Sequence, residues 1–148
     1  MGVLSVLRIA GSALTAQRLR MDVTAGNIAN AEATSTPQGG PYRREQVVFS
    51  PMRASALVDS ARPSPSGRTP QAGGVQVQGI VQDPSPSRLV YDPDHPDAGP
   101  DGYVEFPNVD LVTEMTDMLS ASRAYEANVT VINVAKSMAQ RALDIGRG

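Results

Sequence analysis

His95 is the only histidine in 148 residues, and it lies in the run DPDHPD among Asp92, Asp94 and Asp97. Imidazole and carboxylates are natural ligands for a divalent cation, but a catalytic zinc site needs three protein ligands converging on one point. Here every candidate sits on one short loop broken by prolines, and no second histidine exists to complete a common ligand set. The aspartates fit better as turn residues ahead of the prolines. Nucleophilic catalysis has less support: serines are plentiful, but there is no G-x-S-x-G, and a histidine base would again have to be His95. The glycine pairs Gly39–Gly40 and Gly73–Gly74 do not form a phosphate-binding loop between strand and helix. The NVT at Asn128 fits a glycosylation acceptor but falls within a helical stretch. These residues favour neither a catalytic nor a metal site, and a metal hydrolase centred on His95 is kept only as a rival reading, which an unimpaired His95→Ala variant would remove.

One polar motif remains, in GNIANAEATSTPQGGPYRR, residues 26–44, where Asn27 and Asn30 close a helical stretch just before a segment that cannot be helical. Asparagine at a helix end tolerates the left-handed backbone geometry of a C-terminal cap, and its amide satisfies carbonyls or amides left free where the chain turns away. That makes Asn27 and Asn30 corner residues.

The elements that would place this corner are set by proline. All 12 prolines lie between Pro37 and Pro107, so both flanks are free of the strongest helix breaker. From Val3 to Asn30, Leu7, Leu14, Met21 and Ile28 recur every seven positions, with Leu4, Gly11 and Ala25 in the adjoining seam. From Asp110 to Ile145 the period returns in Leu111, Met118, Tyr125, Ile132 and Ala139, with Met115, Val129 and Leu143 beside them. A seven-residue period of this length is a coiled-coil signature. At 1.5 Å per residue the helices would run roughly 40 Å and roughly 50 Å. Asp110 is placed to cap the second, Glu114 suits its first turn, and Arg18 and Lys136 interrupt the seams. Between the helices, residues 42–52 and 73–83 show strand alternation, and a further short strand is expected near Tyr103. The intervening Ser60–Gly74 stretch is rich in proline, serine and glycine, a loop composition.

Composition narrows the function. The net charge of −2 gives no broad attraction to a phosphate backbone, so nucleic acid is not an expected partner. No apolar run reaches the roughly 18 residues of a membrane span. The start resembles a signal peptide in reverse order: no cation precedes the apolar part, Arg8 splits it, and Arg18 and Arg20 follow. Cysteine is absent and aromatics are 4% of the chain, so small aliphatic side chains must do the packing. A two-helix hairpin needs one apolar stripe per helix, whereas Val6, Leu119 and Val134 lie off the main seams. Soluble monomers seldom leave such faces wet, so neighbouring subunits are expected to cover them. The expected assembly interface comprises the seam residues Leu7, Leu14, Met21, Ile28, Leu111, Met118, Tyr125, Ile132 and Ala139 together with Val6, Leu119 and Val134.

The stretch SALTAQRLRMDVTAGNIANAEAT resembles the N-terminal motif of the axial proteins of the bacterial flagellum, in which a helix ends at an N-x-A-N signature, here Asn27 to Asn30. GGPYRR, VYDPDHPDAGPDGYVEFPNV and EMTDMLSASRAYEANVTVINVAKSM are similar to the proximal type within the flagellar basal-body rod family. The resemblance implies a structural rod subunit, with paired terminal helices forming an inner axial layer and the middle lying farther out. It also implies export by the flagellar type III apparatus without a cleaved signal, a place in the periplasm-spanning rod, and no cofactor. Its implied partners are other copies of the chain, rod subunits of the B, F and G types, and the basal-body adaptor FliE. The expected fold is α+β and elongated: long N- and C-terminal helices paired as an antiparallel, coiled-coil-like hairpin, with a small irregular β-rich middle. The expected divisions are 1–36, 37–107 and 108–148.

Overall fold

A computed structural model describes residues 2–53 and 72–146 of the chain; most of the expected Ser60–Gly74 loop falls outside them. Two long helices enclose four strands in sequence: α1 (Val3–Ala29), β1 (Glu45–Arg53), β2 (Ala72–Gln82), β3 (Arg88–Tyr91), β4 (Tyr103–Phe106) and α2 (Leu111–Ile145). The α+β class expected from the proline distribution is the one observed. β1 and β2 form one two-stranded sheet and β3 and β4 another, the latter antiparallel with Arg88 opposite Phe106 and Tyr91 opposite Tyr103. β3 has no clear signature in the sequence, because four residues between proline-rich runs show no period of their own. It is held by its partner β4.

The chain packs into two compact units, each drawing on both helices and on the middle. The first combines Met1–Arg18, Phe49–Gln78 and Ser122–Gly148. Among the described residues its buried apolar side chains are the alanines Ala10, Ala16 and Ala135. At one point the strand backbone comes close to α1: Gly74 has φ +131°, and a β-carbon there would lie 2.4 Å from Ser12 Oγ. The Ser12 hydroxyl donates to the Ile9 carbonyl (2.7 Å) and accepts from the Val75 N–H (3.1 Å), tying the start of β2 to the helix. The second unit combines Leu19–Val48 and Gly79–Ala121. It buries Val104, Pro107 and Ala121 together with the polar Thr24, Asn27 and Glu114.

The seven-residue period is present, but its buried column is not the one that the large apolar residues suggest. In α2 the buried residues Glu114, Ala121 and Ala135 fall on one heptad column, with half-buried Asn128 at the intervening step. In α1 the matching column runs through buried Ala10 and Thr24, with Gln17 between them. Both columns lie four residues before the expected positions Leu14, Met21 and Ile28, and Met118, Tyr125, Ile132 and Ala139, which are half-buried beside them. In the adjoining seam Leu4, Ala25, Met115 and Leu143 are exposed, while Gly11 and Val129 are half-buried. Arg18 and Lys136 lie outside the buried column and do not interrupt it. Small side chains let two surfaces approach closely, so alanine and threonine take the contact and leave bulkier neighbours outside. No helix among the described residues is long and apolar enough to cross a membrane.

Two glycines separate crowding from intrinsic propensity. At Gly26, inside α1, a β-carbon would meet nothing within 4 Å. Gly26→Ala is therefore expected to stabilise the isolated chain by about 0.5–1 kcal/mol. Gly74→Ala, strained in backbone and crowded by Ser12, should cost about 1–3 kcal/mol. Urea unfolding of the two variants checks both signs; equal effects would rule out the crowding at Ser12.

Candidate functional site

The polar residues of the second unit converge on Asn27, which is 1% exposed near the end of α1. A primary amide has two donors and two acceptor lone pairs, and all four are used here. The Asn27 Nδ2 donates to the Glu45 carbonyl (2.8 Å) and to Glu114 Oε2 (2.9 Å). Its Oδ1 accepts from the Glu45 N–H (2.9 Å) and from the Tyr42 hydroxyl (3.0 Å). The pair of bonds to Glu45 mimics a neighbouring strand at the first residue of β1. It also fixes which way the amide points, since a flipped amide would face N–H against N–H.

Glu114, also 1% exposed, takes the same place on α2. One carboxylate oxygen accepts from Asn27 and the other from the Arg44 Nε. Arg44 extends the cluster, with one terminal nitrogen 3.4 Å from Asp117 and the other 3.7 Å from Asp83. Arg20 on α1 reaches Asp117 at 2.8 Å. Arg20 and Asn27, rising along α1, thus meet Asp117 and Glu114, falling along α2, so the helices run antiparallel in this unit. The main chain joins in: the Arg44 N–H donates to Asn108 Oδ1 (2.9 Å), the Asp83 N–H donates to the Arg44 carbonyl (2.8 Å), and Asn108 Nδ2 reaches the Ser85 carbonyl (3.2 Å).

Local sequence explains why these groups meet. α1 ends at Ala29, where the Asn30 side chain donates to the Gly26 carbonyl (2.8 Å) and its N–H donates to the same oxygen (3.1 Å). Asn30 does not adopt the left-handed geometry expected of it: no non-glycine among the described residues has positive φ. Its amide caps the helix instead. Positive φ is supplied by Gly39 and Gly40, where the loop turns on hydrogen bonds to Thr36. The Tyr42 N–H then returns to the Ala33 carbonyl (3.0 Å), which brings Tyr42, Arg44 and Glu45 back to the helix end. At α2, Asp110 caps as expected, its carboxylate accepting from the Val112 N–H (3.1 Å) and the Thr113 hydroxyl (2.7 Å).

Burial raises the Tyr42 pKa above the ordinary phenol value, with the carboxylates of Glu45 and Glu114 adding to it. Hydrogen bonds from Ser85 hold Asp83 below the usual carboxylate range, with Arg44 contributing. The Thr113 hydroxyl and Val112 N–H do the same for Asp110. This cluster is a closed clamp, every inner group of which is occupied by another. It offers no free nucleophile and no open coordination position.

The other sequence candidates lie elsewhere. His95 Nδ1 accepts from the Asp97 N–H (3.1 Å), its ring stands edge-on to Phe106, and Asp97 accepts the Thr34 hydroxyl (2.6 Å). These are turn contacts; among the described residues no three histidine, aspartate or glutamate side chains group as a metal site would need. Asn128 donates to the Ala124 carbonyl one turn back within α2. Of the expected interface residues, Leu7, Leu14, Met21, Ile28, Met118, Tyr125, Ile132, Ala139 and Val6 are half-buried, and Leu111, Leu119 and Val134 are exposed. Arg20, Tyr42, Arg44, Asp83 and Asp117 were not singled out by sequence reasoning. Nothing in the chain separates Arg44 from Arg43, and only the heptad step from Glu114 to Ala121 marks Glu114 as inward-facing.

Replacing Asn27 should expose this dependence. Asn27→Ala leaves four polar partner groups unsatisfied, that of Glu114 buried and the others part-buried, and is expected to cost roughly 3–5 kcal/mol. Asn27→Asp sets a second carboxylate against Glu114 and should be worse at pH 7 than at about pH 5, because two carboxylates in contact share a proton more readily than either alone takes one up. Chemical denaturation at both pH values decides this; an aspartate variant as stable as wild type at pH 7 would refute the clamp. Because Asp83 and Asp110 have lowered folded values, their contribution is present above the unfolded value of about 3.9 and is lost as pH falls through the folded ones. The Tyr42 contribution is complete below about pH 10 and is lost as pH rises through its higher folded value. Asp110→Asn should flatten the acid limb of a stability–pH profile and Tyr42→Phe the alkaline limb.

Comparison with known proteins returns one consistent family. Residues 7–38 match the pattern described as Flagella basal body rod protein, and residues 101–145 match that of the Flagellar basal body rod FlgEFG protein C-terminal. Over the whole of both chains the sequence is 50% identical to Flagellar basal-body rod protein FlgC of Borreliella burgdorferi. It is 44% identical to the protein of the same name from Escherichia coli O6:H1, over 99% of this chain and 100% of that one. It is 43% identical to the Bacillus subtilis protein, over 95% of this chain and 96% of the relative.

Proposed function

The chain belongs to the flagellar basal-body rod protein family, and on that premise we propose that it is a structural subunit of the bacterial flagellar rod, polymerising through its terminal helices and transmitting torque along them. The observation that carries this reading is the apolar surface left on the helices. Leu4, Val112, Met115, Leu119, Leu143 and Ile145 are all exposed, while the buried positions of the same helices are occupied by alanine, threonine, asparagine and glutamate. Soluble monomers rarely leave so many large side chains in water, and each burial by a neighbour is worth about 1.5–3 kcal/mol. Association of the helices, driven by that burial, supplies the cohesion of the polymer.

The ionic clamp at Asn27 supports torque transmission. It joins α1, β1 and α2 through short directional bonds, so a twist applied to either helix is resisted by the other. The intended setting is the rod across the periplasm, reached through the flagellar type III export apparatus without a cleaved signal. The neighbours are further copies, rod subunits of the B, F and G types, and the adaptor FliE. The clamp is a positioning device, and the reading requires no catalytic residue or cofactor.

A strain lacking the gene, complemented with the wild-type chain, should regain hooks, filaments and motility. A Val6→Ser, Leu119→Ser double variant should retain wild-type helix content as purified protein and fail to restore any of the three. Full motility from that variant would refute assembly through these faces. Hooks and filaments on the uncomplemented strain would refute the rod reading itself.

A further inference from the structure

The outer face of the β3–β4 sheet is an apolar surface that the clamp does not use. The register puts Val90 opposite Val104 on one side, where Val104 is buried. The other side carries Leu89 opposite Glu105 and Tyr91 opposite Tyr103. All four are exposed, Tyr91 and Leu89 by more than 60%. The two tyrosine rings meet edge to face with centroids 5.2 Å apart, and Gly102 (φ +76°) leaves room for Tyr91, since a β-carbon there would lie 2.8 Å from its ring. These are two of only six aromatic side chains in the protein. Beside them runs a groove of about 430 Å³ lined by Tyr103, Glu105, Asp97, Pro41 and Pro96, with no basic residue in its wall. Face and groove together form a preset aromatic surface with an acidic border.

The same sequence carries a complementary surface in its other unit. On the C-terminal part of α2, Arg123, Ala127, Val131, Val134, Met138 and Arg141 succeed one another at steps of three and four, which aligns them along one helix face. All six are exposed. The stripe is aliphatic in the middle, has an arginine at each end, and contains no acid. Tyrosine and arginine are the residue types that dominate protein interfaces, and an arginine gains both from a carboxylate and from a tyrosine ring face.

We propose that the Leu89–Tyr91–Tyr103–Glu105 face receives the Arg123–Arg141 stripe of a second copy of the chain. Charge complementarity selects this occupant: the receiving face offers acids and aromatics, and the stripe offers arginines and aliphatics. A contact between two different patches is heterologous, so each copy keeps one patch free for the next, and the chain grows instead of closing as a pair. This rests on the rod-subunit reading and adds a contact outside the buried helix columns.

The test uses full-length protein, in which the absence of cysteine makes any introduced thiol unique. Glu105→Lys alters the receiving face, and Arg123→Glu with Arg141→Glu alters the stripe. Each variant alone should self-associate about tenfold or more weakly than wild type in sedimentation velocity at low salt. An equimolar mixture of the two should regain association, because the intact face of one meets the intact stripe of the other. With Tyr91→Cys and Val134→Cys in separate chains, a short bis-maleimide should give the mixed cross-linked pair far above either self-pair. Wild-type association by the single variants, no recovery on mixing, or self-pairs equal to the mixed pair would each overturn the proposal. Far-UV circular dichroism excludes loss of folding as the cause of weak association, and the cross-link yield gives a second readout independent of the charge changes. Motility restored by the wild-type chain, together with a failed mixing experiment, would reject this contact alone and leave the rod reading standing.

Discussion

A buried amide with two donors and two acceptors is tolerable only when every one of them is matched, and Asn27 meets that condition through three residues on two separate pieces of chain. The demand falls on its neighbours as much as on itself. Glu45 must begin a strand at that point, so its N–H and carbonyl face the helix. Tyr42 must return from the Gly39–Gly40 turn with its hydroxyl aimed inward. Glu114 must turn one oxygen to Asn27 and the other to Arg44, and so Arg44 must be drawn in with it. Most of the second unit's architecture follows from these few requirements.

The clamp also fixes register in a way that the apolar seams do not. The residue one heptad beyond Glu114 is Ala121, so sliding α2 by seven residues would keep small side chains in the contact column. It would, however, leave Asn27 with an unmet donor and Arg44 without its nearest carboxylate. Burying a charge without its partner costs far more than exchanging one alanine for another. Packing by small residues brings the helices close, and the polar set decides where along their length they stop. The two devices are complementary because alanine packing by itself discriminates weakly between registers.

The sequence revealed the elements more readily than their contacts. Proline placement separated the helical flanks from the middle, and the strand alternation located β1 and β2, because each signal is local. The heptad period was also legible, but its phase was not. Large apolar residues at Leu4, Met115 and Leu143 outweighed Ala10, Thr24 and Ala121 in any count of hydrophobicity, although close approach selects the smaller side chains. The corner was visible in Asn27 and Asn30 as residue types. Its partners were not, since Tyr42, Arg44, Asp83 and Asp117 become a site only through contacts between 15 and 73 positions apart, which no local pattern encodes. Asn30 shows the same limit on a smaller scale: its type predicts a cap, and only the structure shows that the side chain caps while the backbone stays right-handed.

The described helices bury small and polar side chains and leave many of their large apolar ones exposed, and this arrangement has a physical logic. If the large apolar side chains were spent inside one molecule, association between molecules would have to rely on polar contacts, which are individually weak in water. Here directional bonds, which need defined geometry to be favourable, set the shape within the chain. Apolar area, which is non-directional and grows with the surface covered, is left for contact between chains. A fold organised in this way specifies its own corner in isolation and keeps its largest favourable term for the neighbour that completes it.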